Sequence, residues 1–167
     1  MPNTYTKIQS LTVTGNTQPA NQSFNSIPQT YTDLVLECSV RMNGSGFYDN
    51  VLLTFNGSSA GYYMVRSTQA YSDTWTNTSF FYIGEITGNG AATANSFGYL
   101  RIYIPNYATS NFKSVYADHA VENNSTSHYM GMRSGYWANT AAITSITLSG
   151  NGFMDYSSLT LYGIKNT

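Results

Sequence analysis

The sequence predicts an all-β chain: one antiparallel β-sandwich, jelly-roll-like, of nine or ten strands with almost no helix. Three observations carry the prediction. Apolar residues alternate with polar ones at period 2 from one end to the other, as half-buried strands require. Turn-forming residues separate the alternating runs, and no amphipathic stretch reaches the length of an independent helix. Strands at short spacing without crossover helices exclude a doubly wound parallel sheet.

The first run, residues 8–13, alternates weakly. In residues 34–41, Leu34, Leu36, Cys38 and Val40 share one face, and Glu37, Ser39 and Arg41 share the other. Val51, Leu53 and Phe55 repeat the pattern, followed by residues 62–66 and the apolar run 80–83. Leu100, Ile102 and Ile104 oppose Tyr99, Arg101 and Tyr103, and Pro105 then removes a ladder donor and ends the strand. Val115, Ala117, His119 and Val121 make a further face, and residues 130–136, 145–148 and 159–164 close the series. Four Asn-Gly pairs, at 43–44, 56–57, 89–90 and 151–152, supply the positive φ angles of tight hairpins. Asn139 is an N-cap for at most one helical turn over 139–143. The loosest stretches, 15–22 and 88–96, are short enough to be loops, so residues 1–167 read as a single domain.

Composition narrows the function. The 167 residues carry 7 Lys+Arg against 8 Asp+Glu, a net charge of -1, and only 9% of them are charged, where about 25% is usual. A basic nucleic-acid binder, an acidic tail and a coiled coil all need more charge. Disorder is excluded by 41% hydrophobic and 15% aromatic content. Solubility falls instead to 21 Thr, 20 Ser and 17 Asn. No apolar window is long enough for a membrane-spanning helix, and residues 1–7 do not have the form of a secretory leader. The lone Cys38 has no disulfide partner and belongs to a core face.

Catalytic and metal signals are weak. Residues 57–61 match G-x-S-x-G, but a strand rather than a helix follows, so the segment reads as a hairpin turn and not as a nucleophile elbow. His119 points inward with Val121 while Asp118 points outward, and His128 adds no ligand spacing, so no metal site and no cofactor are expected. The carboxylates of Asp33, Glu37, Asp49, Asp73, Glu85, Asp118, Glu122 and Asp155 are scattered singly, and nothing selects a pair for glycoside hydrolysis. Asp49, Asp73 and Asp155 sit among turn residues, where hydrogen bonds to local backbone are the ordinary explanation. The expectation is a protein that is not an enzyme.

Aromatic residues outnumber what a small core needs. Tyr62, Tyr63, Tyr71, Trp75, Tyr107, Tyr129, Tyr136 and Trp137 suit three uses: covering the rims of the sandwich, contacting other subunits, or packing on pyranose rings. The loop 71–77 mixes aromatic with hydrogen-bonding side chains. The candidate binding residues are therefore Tyr71, Asp73 and Trp75 in that loop, with Tyr62, Tyr63 and Trp137.

Four segments carry a resemblance: SIPQTYTDLVL at 26–36, LRIYIPNY at 100–107, WANTAAITSITL at 137–148 and SSLTLYGIKN at 157–166. In order and spacing they resemble small β-rich virion proteins of tailed bacteriophages of marine bacteria, including cyanophages, over most of the chain. The resemblance implies a non-enzymatic virion structural protein, assembled in the host cytoplasm, and brings no catalytic residues with it. A capsid decoration or knob protein held by the major capsid protein or other virion proteins is the leading expectation. A receptor- or glycan-binding module of a tail fibre or baseplate, meeting a host surface glycan, is the alternative. Virion symmetry suggests a homo-oligomer, a trimer at a local three-fold being one form; neither nucleic acid nor membrane insertion is expected.

Overall fold

The computed structural model describes residues 5–68, 72–90, 92–124, 126 and 128–165. Twelve strands and no helix run through them: β1 (Tyr5–Thr12), β2 (Asn21–Phe24), β3 (Asp33–Met42), β4 (Tyr48–Phe55), β5 (Tyr62–Thr68), β6 (Ser72–Thr78), β7 (Phe81–Gly88), β8 (Gly98–Ile104), β9 (Lys113–Ala120), β10 (Met130–Trp137), β11 (Ile146–Ser149) and β12 (Ser158–Ile164). Eight form a long antiparallel layer in the order β1-β12-β3-β8-β9-β10-β5-β6. Four form a short antiparallel layer in the order β2-β11-β4-β7. A two-residue parallel ladder, Arg41 with Thr87 and Met42 with Gly88, joins β3 to β7, so all twelve strands belong to one mixed sheet folded into two layers. Strand β7 lies across β9, β10, β8 and β5 of the long layer.

The all-β expectation holds, with twelve strands instead of nine or ten. The two that escaped prediction are β2 and β6, whose sequences NQSF and SDTWTNT contain almost no apolar alternation. Residues 72–77, expected as a loop, are strand. The layers divide the strands eight and four, whereas a jelly roll packs eight strands in two Greek keys. Residues 139–143 form no helix; Asn139 accepts a hydrogen bond from the Ala141 amide at 2.8 Å instead.

The Asn-Gly pairs have a different job from the one predicted. None closes a hairpin. Those at 43–44, 56–57, 89–90 and 151–152 each lie where the chain crosses from one layer to the other, after β3, β4, β7 and β11. Only Asn56 and Gly57 both have positive φ, 52° and 66°, where the Ser58 amide closes a turn onto the Phe55 carbonyl at 2.8 Å. The G-x-S-x-G segment is thus part of the β4 to β5 crossing.

Between the layers lies one continuous apolar core. Leu34, Leu36, Cys38 and Val40 of β3 are buried in it, as are Leu100, Ile102 and Ile104 of β8. Burial pushes the Cys38 thiol pKa well above its ordinary value, which keeps it protonated and inert. One end is filled by Phe55, Tyr62, Phe81 and Trp137, with the Tyr62 and Phe81 rings 4.9 Å apart and the Trp137 ring 5.7 Å from Phe55. The Tyr62 hydroxyl accepts from the Phe55 amide at 2.9 Å and meets the Ser58 carbonyl at 3.2 Å. Trp137 donates its indole N–H to the Ala60 carbonyl at 3.3 Å. Tyr62 and Trp137 were expected at a binding surface; at 0% and 1% exposure they are core residues. Their polar tips are satisfied by the β4 to β5 crossing, which lets such large rings be buried without an orphan donor.

Arg41 shows how a polar loop is held. Its guanidinium is buried and faces neutral oxygens: Thr93 O at 2.6 Å, Ser96 O at 3.0 Å and Ala92 O at 3.2 Å, with the Ser96 hydroxyl and the Asn89 side-chain oxygen each at 3.1 Å. Arg41→Ala is expected to cost at least about 2 kcal/mol, since hydrogen bonds to a charged group contribute about 1.5–3 kcal/mol each. Faster amide exchange confined to residues 89–96 would locate the loss there, and unchanged exchange would refute the clamp.

Candidate functional site

The long layer has an inner face packed on the core and an outer face open to solvent. Alternation assigns each side chain. Along β10, Arg133 and Trp137 are buried, whereas Met132, Ser134 and Tyr136 point outward. The ladder then aligns the outward residues of neighbouring strands in rows. One row runs Tyr103, Tyr116, Ser134, Val65, Thr74 across β8, β9, β10, β5 and β6. The next contains Ser114, Tyr136 and Tyr63. Because Ser114 and Ser134 are small where their neighbours are tall, a groove of about 650 Å³ opens between the tyrosines, floored by backbone at Val115 and Gly135.

The groove has a defined chemistry. No charged side chain is among its lining residues, which offer the hydroxyls of Thr74, Thr76, Ser114 and Ser134 beside four tyrosines. Tyr63 and Tyr136 stack at 4.9 Å with planes 6° apart, and Phe112 continues the stack on Tyr136 at 6.1 Å and 2°. Tyr103 is fixed by donating to Asp33 at 2.9 Å, and burial with that bond raises its pKa. Next to the groove, Met130 and Met132 extend the apolar surface, and Tyr116 donates to the Met132 sulfur at 3.0 Å.

Behind the same strands, facing inward, is a buried ionic cluster. Glu85 of β7 receives Arg133 of β10 on Oε2, has His119 Nε2 of β9 at 3.1 Å and Arg66 of β5 at 3.8 Å. Arg66 also grips Asp73 through two bonds of 2.9 and 2.5 Å. Tyr82 lies under Arg133, whose guanidinium carbon is 4.9 Å from the ring centre. Gly84 and Gly131 make the room for His119: a Cβ on Gly84 would sit 3.0 Å from the imidazole, and one on Gly131 2.9 Å from its Nε2. Desolvation lowers the His119 pKa to about 4 against the opposing pull of Glu85, so the imidazole is neutral at pH 7.

The predicted site residues separate accordingly. Tyr63 stands in the groove. Asp73 and Trp75 lie on the inner face of β6; Trp75 donates to Asp73 at 3.1 Å and packs on Tyr82 at 5.3 Å, contributing only its strand to the groove wall. Tyr62 and Trp137 are in the core, and Tyr71 lies outside the described residues. Asp73 is tied to Arg66 rather than to local backbone, and Asp155 accepts the distant Asn16 amide at 2.9 Å, while Asp49 accepts its neighbour Asn50 at 2.7 Å as expected. His119 is buried as expected, and His128 is exposed and bonded to the Thr126 carbonyl. Tyr103, Tyr116, Ser114 and Ser134 escaped selection because only the strand order brings them together.

No protein-family model matches the chain, and no curated protein matches it either.

Proposed function

We propose that the protein is a non-enzymatic structural protein of a tailed-phage virion, carried on the capsid as a decoration or knob protein and working through protein–protein contact. The observation that supports it is the character of one surface. Val65, Phe112, Tyr116, Met130, Met132 and Tyr136, each 40–56% exposed, lie together on the outer face of β5, β9 and β10 or stack against it. Contiguous exposed apolar patches of this kind mark interaction sites, and the major capsid protein or another virion protein is the partner proposed. The jelly-roll likeness belongs to the same reading: the described strands cross between layers at eight of their eleven connections, as Greek-key connections do.

A second reading is favoured by the groove itself. Uncharged, hydroxyl-lined and walled by tyrosines, it suits a neutral glycan, which would make the chain a receptor-binding module of a tail fibre or baseplate. Co-sedimentation with undecorated heads, tails and host cells separates the two. The expected result is stoichiometric binding to heads that persists as salt is raised, because so little charge is screened, and that is lost in Met132→Asp. Binding to cells but not heads, abolished by Tyr136→Ala, would transfer the proposal to the glycan reading. Release from heads at moderate salt would contradict contact through an uncharged face.

A further inference from the structure

Among the described strands β1, β2 and β6 each pair on one side only, and these edges are not alike. Strand β1 carries the exposed Lys7 and a register shift between Lys7 and Gln9. Strand β2 is four residues long. Both are devices that keep an edge from pairing with another chain. The third edge, β6, runs seven residues without proline or lysine, and among the described residues its ladder partner is β5 alone. Its one irregularity of pairing lies toward Thr78. It is also held straight from behind, by Asp73 on Arg66 and by Trp75 on Asp73 and Tyr82.

We propose that β6 is an interface for a second copy of this chain, paired antiparallel edge to edge across a two-fold axis. The strand is complementary to itself. With the axis at Trp75, Thr74 lies opposite the partner's Thr76 and Asp73 opposite the partner's Asn77, so Thr pairs that stabilise a ladder face each other and no like charges do. The strand's one carboxylate is already neutralised by Arg66, and a chain with net charge -1 opposes self-association weakly. The contact is isologous and closes at two copies, in place of the trimer that symmetry analogy suggests. Since Thr74 and Thr76 also border the groove, pairing would make the two grooves continuous across the new ladder.

Sedimentation equilibrium of the full chain over a range of concentrations tests this. The expected result is a reversible dimer that the double variant T74K/T76K, which sets ammonium groups opposite each other, reduces to monomer, with a melting temperature equal to the native chain's at concentrations where both are monomeric. Met132→Asp, on the sheet face away from the edge, should leave the dimer intact. A monomer at every concentration would overturn the proposal, as would a trimer. So would a dimer that survives T74K/T76K but is lost in Met132→Asp, which would place the interface on the sheet face.

Discussion

Glu85→Ala is expected to destabilise the protein by about 3–5 kcal/mol, the usual cost of removing one partner from a buried ion pair. Glu85 and Arg133 are each 2% exposed, and without the carboxylate the Arg133 guanidinium keeps, among the described residues, only the face of Tyr82. Arg66 would suffer less because Asp73 still holds it. The effect is one of lost compensation more than of lost attraction. The double variant E85L/R133M, which removes both charges, should therefore recover most of the loss. Urea denaturation of the three proteins measures it, and a cost below about 1 kcal/mol for Glu85→Ala would mean that water reaches the cluster.

The second large effect is a loss of stability on acidification, between pH 6.5 and pH 4, assigned to His119. The unfolded imidazole takes up its proton near pH 6.5, whereas the folded one resists until about pH 4. Through that window the unfolded state binds more protons, so stability falls as pH falls; the depressed pKa amounts to about 3 kcal/mol once both pKa values have been passed. Glu85 and Arg133 face the ring from β7 and β10, and their opposing influences leave burial as the dominant cause. Asp73, whose pKa is lowered chiefly by its hydrogen bond from Arg66, loses its contribution only at lower pH, below the usual carboxylate value. Urea midpoints recorded from pH 7 to pH 4 should decline for the native chain and stay nearly level through this window for His119→Gln. An equal decline in both would assign the transition to other groups.

Strands were legible where one face meets the core and the other meets water. Residues 36–40, 51–55 and 100–104 alternate for that reason, and β3, β4 and β8 follow them, although Val35 and Arg41 on the second face of β3 are buried as well. Strands β2 and β6 lie at sheet edges and carry polar residues on both faces, so period 2 leaves no trace in them. Aromatic excess misled in a specific way. Tyr62 and Trp137 neighbour polar residues in sequence because each adjoins a polar layer crossing, yet it is the β4 to β5 crossing, sequence-distant from Trp137, that satisfies both the hydroxyl and the indole in the core. The groove and the ionic cluster are products of strand order. Ser134 lies between Tyr116 and Val65, residues far from it in sequence, and Glu85 meets Arg133 from the opposite layer. Neither neighbourhood is encoded in any local pattern.

The position of β12 between β1 and β3 has a consequence for how the chain is made. Among the described strands β12 is the ladder partner of β1, so β1 waits unpaired until β12 has been translated. Until then one side of β3 stays an open apolar template, and the long layer is completed through contacts of very large sequence separation. Such contacts fold slowly and leave edges exposed to aggregation while they wait. For this molecule, the vulnerable interval is set by the arrival of Ser158–Ile164.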